Sequence, residues 1–351
     1  MDDAAPASTI GRKLTILMLV LAVVVIGWTG GWFWLKGEVA RRMDDQISRL
    51  DGRGLIVRCL DRTVSGWPFR IDIDCSDPSL TQKAGSAALS FKHLRVTTLV
   101  YNPTLVIAEF DGPLQVTGQT GETASVTWTQ LRASLGLTLL PTPKPGRLAI
   151  AGDGLVANVM RPGSPEAKLE ATHVELHARQ SPDAAPGSND VDLVVTLSAA
   201  KLSVANHSLG PEIADYGLDS VARGLPSERG EGGFMKAWLG SGGSLVVRKG
   251  RMSVGGFSID ASGPVTANAD GSVNAPLKLI ASGFATLMQP PAATMKGRNE
   301  LMGLATVFTL FGKSVPEADG IPAGSRSVDL TIEQGRIKFG PTGVGHLPPV
   351  F

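Results

Sequence analysis

The sequence predicts a mainly β fold with covering helices (α+β), a curved antiparallel sheet of hairpins preceded by one N-terminal transmembrane helix. Three observations carry this. Leu14 to Leu35 is an uncharged, mostly apolar run of the length a helix needs to cross the hydrocarbon core of a bilayer. Glycine reaches 42 residues and proline 23 while aromatics are only 5%, a balance that favours many short strands and turns over a helical bundle. Beyond residue 50, short apolar runs recur, each closed by turn residues.

In chain order, residues 1–13 read as a short tail and 14–35 as the span. The apolar run continues through Trp28, Trp32, Phe33 and Trp34, which suits an uncleaved anchor rather than a signal peptide with a small-x-small cleavage site. Indole rings favour the headgroup zone, so that end belongs at the interface. Arg12 and Lys13 precede the span, and Lys36, Arg41, Arg42 and Arg49 follow it, so the charge rule leaves the orientation open. Residues 36–50 read as a polar stalk helix. Residues 51–351 read as one exported β-rich domain, with two lobes dividing near 200–230.

Cys59 and Cys75 are the only cysteines. Residues 54–60 and 69–75 read as two strands around a turn at Ser65–Pro68, which places the two thiols opposite each other at a separation a disulfide accepts. An even count suits one disulfide in an oxidising compartment, and a pair of free core thiols is the other reading. Asp72 and Asp74 alternate with Ile71 and Ile73 and read as that strand's solvated face. Further hairpins are expected around Asn102–Pro103, Gly250, Asp270–Gly271 and Gln334–Gly335, with Gly152–Gly154 as a hairpin turn. Leu218, Val221, Ala222 and Leu225 have helical spacing, so 211–225 reads as a helix. Residues 230–243 form a second short amphipathic stretch around Trp238. Residues 291–312 read as a helix whose second half, residues 301–312, is apolar nearly all round, too short for a second span and so buried.

Formal net charge is +1, which gives no electrostatic footprint for nucleic acid. Catalytic signatures are weak. His173, Glu175 and His177 share one side of a strand, but the zincin spacing is absent and a polar outer face explains the alternation. Gly312-Lys313-Ser314 lacks the first glycine of a phosphate loop, since Val307 stands there. His93, His207 and His346 have no triad context. No catalytic residue, metal site or cofactor is expected.

Gly66-Trp67-Pro68-Phe69-Arg70, bracketed by Cys59 and Cys75, resembles the bacterial membrane-anchored family known as domain of unknown function 2125. Residues 330–341 and His346-Leu347-Pro348-Pro349 are similar to that family's closing hairpin, with Gln334 in place of the usual acidic turn residue. The resemblance implies a cell-envelope protein and supplies no catalytic residues. In architecture alone, an anchor followed by hairpins also resembles AsmA-like envelope proteins, which are associated with lipid handling.

The expected protein is therefore non-catalytic, anchored by a single pass in a bacterial inner membrane with its C-terminal domain in the periplasm. It is expected to bind a lipid or other apolar ligand in a sheet groove bordered by Met288, Met295, Met302, Leu304 and Phe308. The alternative is a scaffold that recruits an envelope protein and has no cavity. Its expected partners are the bilayer, a lipid ligand or an envelope protein, and not nucleic acid.

Overall fold

The computed structural model describes residues 9–83, 85, 87–118, 121–138, 144–185, 187–205, 207–208, 213–226, 234–288, 298–318, 320–340 and 342–351. Helix α1 (Thr9–Gly52) is continuous through the apolar run and the polar stalk. It is long and apolar enough to cross a membrane, with a mean hydropathy of 2.3 over its most apolar window, and that window is fully exposed.

The strands that follow form one antiparallel sheet that does not close on itself. Its first ten strands are five long strands, each broken once. These are β1 (Leu55–Arg58) with β2 (Arg62–Ser65), β3 (Arg70–Ser76) with β4 (Ser79–Gln82), β5 (Ala88–Ser90) with β6 (His93–Leu99), β7 (Asn102–Asp111) with β8 (Leu114–Thr117), and β9 (Thr123–Thr127) with β10 (Gln130–Thr138). The breaks align. Backbone hydrogen bonds cross them from Leu60 to Ser76, Asp77 to Lys92, Lys92 to Asp111 and Thr129 to Asp153, and Phe91 packs beside them, tilted against Phe110 and edge-on to Trp128, whose indole N–H donates to the Phe110 carbonyl at 2.8 Å.

Both branches rejoin on β11 (Lys144–Met160), whose first half pairs with β10 and second half with β9. From there the sheet runs on as a meander through β12 (Ala167–Gln180), β13 (Val191–Val204), with the short β14 (His207–Ser208) on its end, and β15 (Ile213–Arg223). Helix α2 (Phe234–Leu239) precedes β16 (Ser244–Val254), β17 (Phe257–Ala267) and β18 (Val273–Ser282). A 3₁₀ turn (Phe284–Met288) and helix α3 (Arg298–Phe311) then lead to β19 (Lys313–Ser314), β20 (Arg326–Glu333), β21 (Arg336–Phe339) and β22 (Thr342–His346).

Several expectations need correction. The strand opposite β3 is residues 62–65, not 54–60: Arg62 pairs with Cys75, while β1 pairs with β4. Cys59 lies in the break between β1 and β2 and still reaches Cys75, with 5.6 Å between Cα atoms and the disulfide formed. Asp72 is buried, 5% exposed, and not solvated. It holds Arg70 Nε at 2.7 Å and accepts from the Thr97 hydroxyl at 2.8 Å, which offsets the cost of burying a carboxylate.

Residues 213–223 are strand β15, not helix. Ser220, Val221 and Ala222 are all buried, and a strand covered on both faces loses the alternation that would mark it. Gly250 and Gly152–Gly154 are not hairpin turns. Gly250 follows a bulge inside the continuous β16, and Gly154, at φ +62°, lets β11 bend where it changes partners. The hairpins at Asp270–Gly271 and Gln334–Gly335 form as read.

Buried apolar clusters gather in the C-terminal third. Leu301, Ala305 and Phe308 of α3 pack on Val254, Phe257, Leu279, Ala281 and Val328 of the sheet. Ala222 packs with Trp238 and Leu239 of α2, against Phe351. Val273, Ala275 and Ile332 form a third cluster with Leu347. Phe308 is fully buried, so Phe308→Ala should cost about 3–5 kcal/mol, read as a lowered urea midpoint by tryptophan fluorescence, whereas Leu310→Ala, whose side chain is 71% exposed, should leave the midpoint unchanged.

Candidate functional site

Residues paired directly across an antiparallel sheet lie on the same face, so the register defines rows of side chains. One row reads Val64, Ile73, Val96, Ala108, Ala133, Ile150 and Leu176. It continues through Val195, Leu218, Gly250, Ala261, Leu279 and Val328. These are thirteen strands with no polar side chain among them, roughly 58 Å of sheet at the usual interstrand spacing. Flanking rows on this face are nearly as apolar, with Val106, Leu135, Leu148, Ala178 and Leu193 on one side and Gly152, Val174 and Leu197 on the other.

Coverage of this face is uneven. At its C-terminal end Leu279 and Val328 are buried under α3. From β6 to β15 the same row, Val96 through Leu218, stays partly exposed. Full burial of a Leu, Ile or Val is worth about 1.5–3 kcal/mol, so this stretch leaves hydrophobic free energy unrealised in the isolated chain. Of the residues proposed to border a groove, Phe308 is inside the α3 packing layer, and Met302 and Leu304 are partly buried against it. Met295 and the Met288 side chain lie outside the described residues.

The opposite face is mostly polar, with Leu105 and Ile107 of β7 as exposed apolar exceptions. Cross-strand pairs line it: Arg95 with Asp74 at 2.7 Å, Arg132 with Glu109 at 2.9 Å, Arg251 with Asp260 at 2.7 Å. Asp192, 4% exposed, is shared by Arg179 and Arg248, each at 3.2 Å, and Arg248 also reaches Asp219 at 2.6 Å. Burial pushes the Asp192 carboxyl up, but hydrogen bonds from Ser181, Arg179 and Arg248 outweigh it and hold the pKa below the usual carboxylate value. A cavity of about 340 Å³ opens here between Arg147, His177, Arg179 and Arg248.

His173, Glu175 and His177 come together on this face. His173 Nδ1 meets Asp153 at 2.6 Å and its Nε2 meets Glu175 at 3.0 Å, while His177 meets the other Glu175 oxygen at 3.1 Å. These hydrogen bonds, Asp153 first, raise the His173 pKa, and the histidines lower that of Glu175. The side chains saturate one another as an outer-face ladder. Among the described residues no group with metal-holding geometry occurs.

The glycine-tryptophan-proline motif forms the β2–β3 hairpin tip beside α1. The Trp28 indole N–H donates to the Pro68 carbonyl at 2.9 Å and that of Trp32 to the Arg70 carbonyl at 3.0 Å. Trp32 is 5% exposed, and the Trp28 and Phe69 rings are 6.0 Å apart. Gly66 has φ +103°, and a Cβ there would lie 2.7 Å from the Arg70 carbonyl oxygen, so the turn admits glycine alone. Farther along α1, Asp44 pairs with Arg62 at 2.7 Å and Asp51 with Lys83 at 2.9 Å. The helix thus rides along the sheet edge formed by β1 and β2. Sequence reading found the motif but not its tryptophan partners, because the contact joins residues about forty positions apart, and the helix tryptophans already had an explanation as interface anchors.

The stability that Asp192 contributes is fully present above the unfolded carboxylate pKa of 3.8 and is lost as pH falls through the lower folded value. Urea midpoints of the native chain and Asp192→Asn should therefore differ clearly at pH 7 and converge as pH falls below about 4. For His173 the sign reverses: its contribution is present below 6.5 and fades as pH rises through the higher folded value, and Asp153→Asn should lower the His173 pKa in an NMR titration.

The family described as uncharacterized protein conserved in bacteria, domain of unknown function 2125, matches residues 32–348. No curated protein and no solved structure matches.

Proposed function

We propose that this chain, which belongs to the domain of unknown function 2125 family of bacterial proteins, is a single-pass membrane-anchored envelope protein that holds the acyl part of a lipid against its open apolar sheet face. The observation that carries this reading is the row of thirteen apolar positions whose stretch from Val96 to Leu218 stays partly exposed. A continuous apolar strip that stays partly exposed across many strands suits an interaction surface. Its shape, a strip running across many strands, suits a flexible chain better than a compact polar substrate. The polar constellations of the other face are internally paired, so the protein is read as a binder and not an enzyme.

The length and apolarity of α1 support single-pass anchoring. The Cys59–Cys75 disulfide favours an oxidising compartment, and it supports reading the sheet as periplasmic and α1 as an inner-membrane anchor. A second reading, a scaffold that recruits a protein, draws on strand β22, exposed along its length and paired only with β21 among the described residues; an open edge of this kind accepts an added strand.

Leu176→Asp combined with Val195→Asp places two charges in the middle of the strip without touching α1. The wild-type chain, purified in mild detergent and extracted with organic solvent, should yield a stoichiometric lipid. The double variant should yield at least about tenfold less, as a loss of about 1.4 kcal/mol in affinity gives. Equal lipid content in the two proteins, both keeping the disulfide and a cooperative urea transition, would overturn the reading.

A further inference from the structure

We propose that the β2–β3 hairpin tip, together with the adjoining β6–β7 turn, is a membrane-inserting wedge that enters the headgroup layer of the bilayer beside α1. The occupant of this surface is lipid, and continuity with the spanning helix identifies it. The Pro68 carbonyl is hydrogen-bonded to Trp28, and Trp28 lies seven residues before Leu35, the end of the apolar run. At 1.5 Å per residue the tip is held about 10 Å short of that end along the helix axis. A hairpin pinned at that depth cannot stand in bulk water while Leu35 is in the membrane.

The chemistry of the tip agrees with the depth. Trp67 is 54% exposed, Phe69 57% and Tyr101 69%, although aromatics make up only 5% of the chain. The Val100 N–H donates to the Phe69 carbonyl at 2.9 Å, so the two turns form one surface. Aromatic rings with a polar atom are the side chains that settle at the membrane interface. The nearest charge, Arg70, is paired with Asp72 at 2.7 Å, and Lys36 sits 5.7 Å from the Trp32 ring, where its long stem reaches the headgroups. The tip thus presents no unpaired carboxylate to the lipid.

This inference rests on the anchoring part of the proposed function and not on lipid binding by the sheet. The test uses the full chain in phosphatidylcholine and phosphatidylglycerol vesicles, with Tyr101→Cys labelled by an environment-sensitive fluorophore while the native cysteines stay in their disulfide. Met160→Cys, 55% exposed at the other end of its strand, is the control. Lipids spin-labelled near the headgroup should quench the label at 101 several-fold more strongly than at 160, and aqueous iodide should do the reverse. Iodide quenching equal at both positions without lipid quenching at 101, or a self-crosslink through 101 between two copies in its place, would overturn the wedge. In those cases, flotation of the chain with the vesicles would leave the anchoring intact; failure to float would overturn anchoring and wedge together.

Discussion

Period-two alternation held in register over many strands is the constraint on which the rest of the structure depends. Once Ile73, Val96 and Ala108 share a face, every later strand in the meander must place its apolar side chains on that same face, because a slip of one residue would turn a whole strand inside out. The opposite face is committed at the same time. It becomes a ladder of cross-strand arginine and carboxylate pairs, each worth little alone. A sheet so divided has a polar face that needs only water and an apolar face that needs a cover, and the chain supplies that cover in α3 for its C-terminal part only.

The ends of the sheet are managed differently. The first edge, β1 and β2, is taken up by α1, through ion pairs along the stalk and indole hydrogen bonds at the hairpin tip. A helix on an edge protects unpaired backbone groups from adventitious pairing, and here it also fixes the sheet's position relative to the apolar segment. At the far end the C-terminal tail folds back over the strand turns, where the Val350 N–H donates to the Gly271 carbonyl and the Leu347 N–H to the Gly335 carbonyl, while the edge of β22 stays open. Phe351 then joins Trp238 and Leu239 beneath α2. The two family motifs therefore sit where the sheet begins and where it ends, and each makes a contact that ordinary strand pairing does not provide.

Much of this was legible in the sequence. The apolar helix, the dominance of strands, the disulfide and the helix ending at Phe311 all follow from local signals: uncharged length, turn residues, a single cysteine pair, apolarity all round. What local signals could not convey was which strand lies opposite which. By local pattern Cys59 belongs to a strand facing β3, but the aligned break after Arg58 shifts that role to residues 62–65. Gly152–Gly154 and Gly250 have the composition of turns and serve as bends within long strands, since neighbours on both sides hold the backbone extended. Residues 213–223 carry helical spacing by coincidence, and two flanking strands with registered partners outweigh a marginal helix. The row from Val64 to Val328 was invisible for the same reason, since it exists only once thirteen registers are known together.

The most direct test of the central claim is site-specific photocrosslinking in living cells with a benzophenone amino acid placed at Leu176 on the apolar face or at His177, its neighbour on the polar face. A lipid adduct at position 176 and none at 177 is the predicted result. A protein adduct at 176, or identical adducts at both positions, would contradict the assignment of this face to lipid.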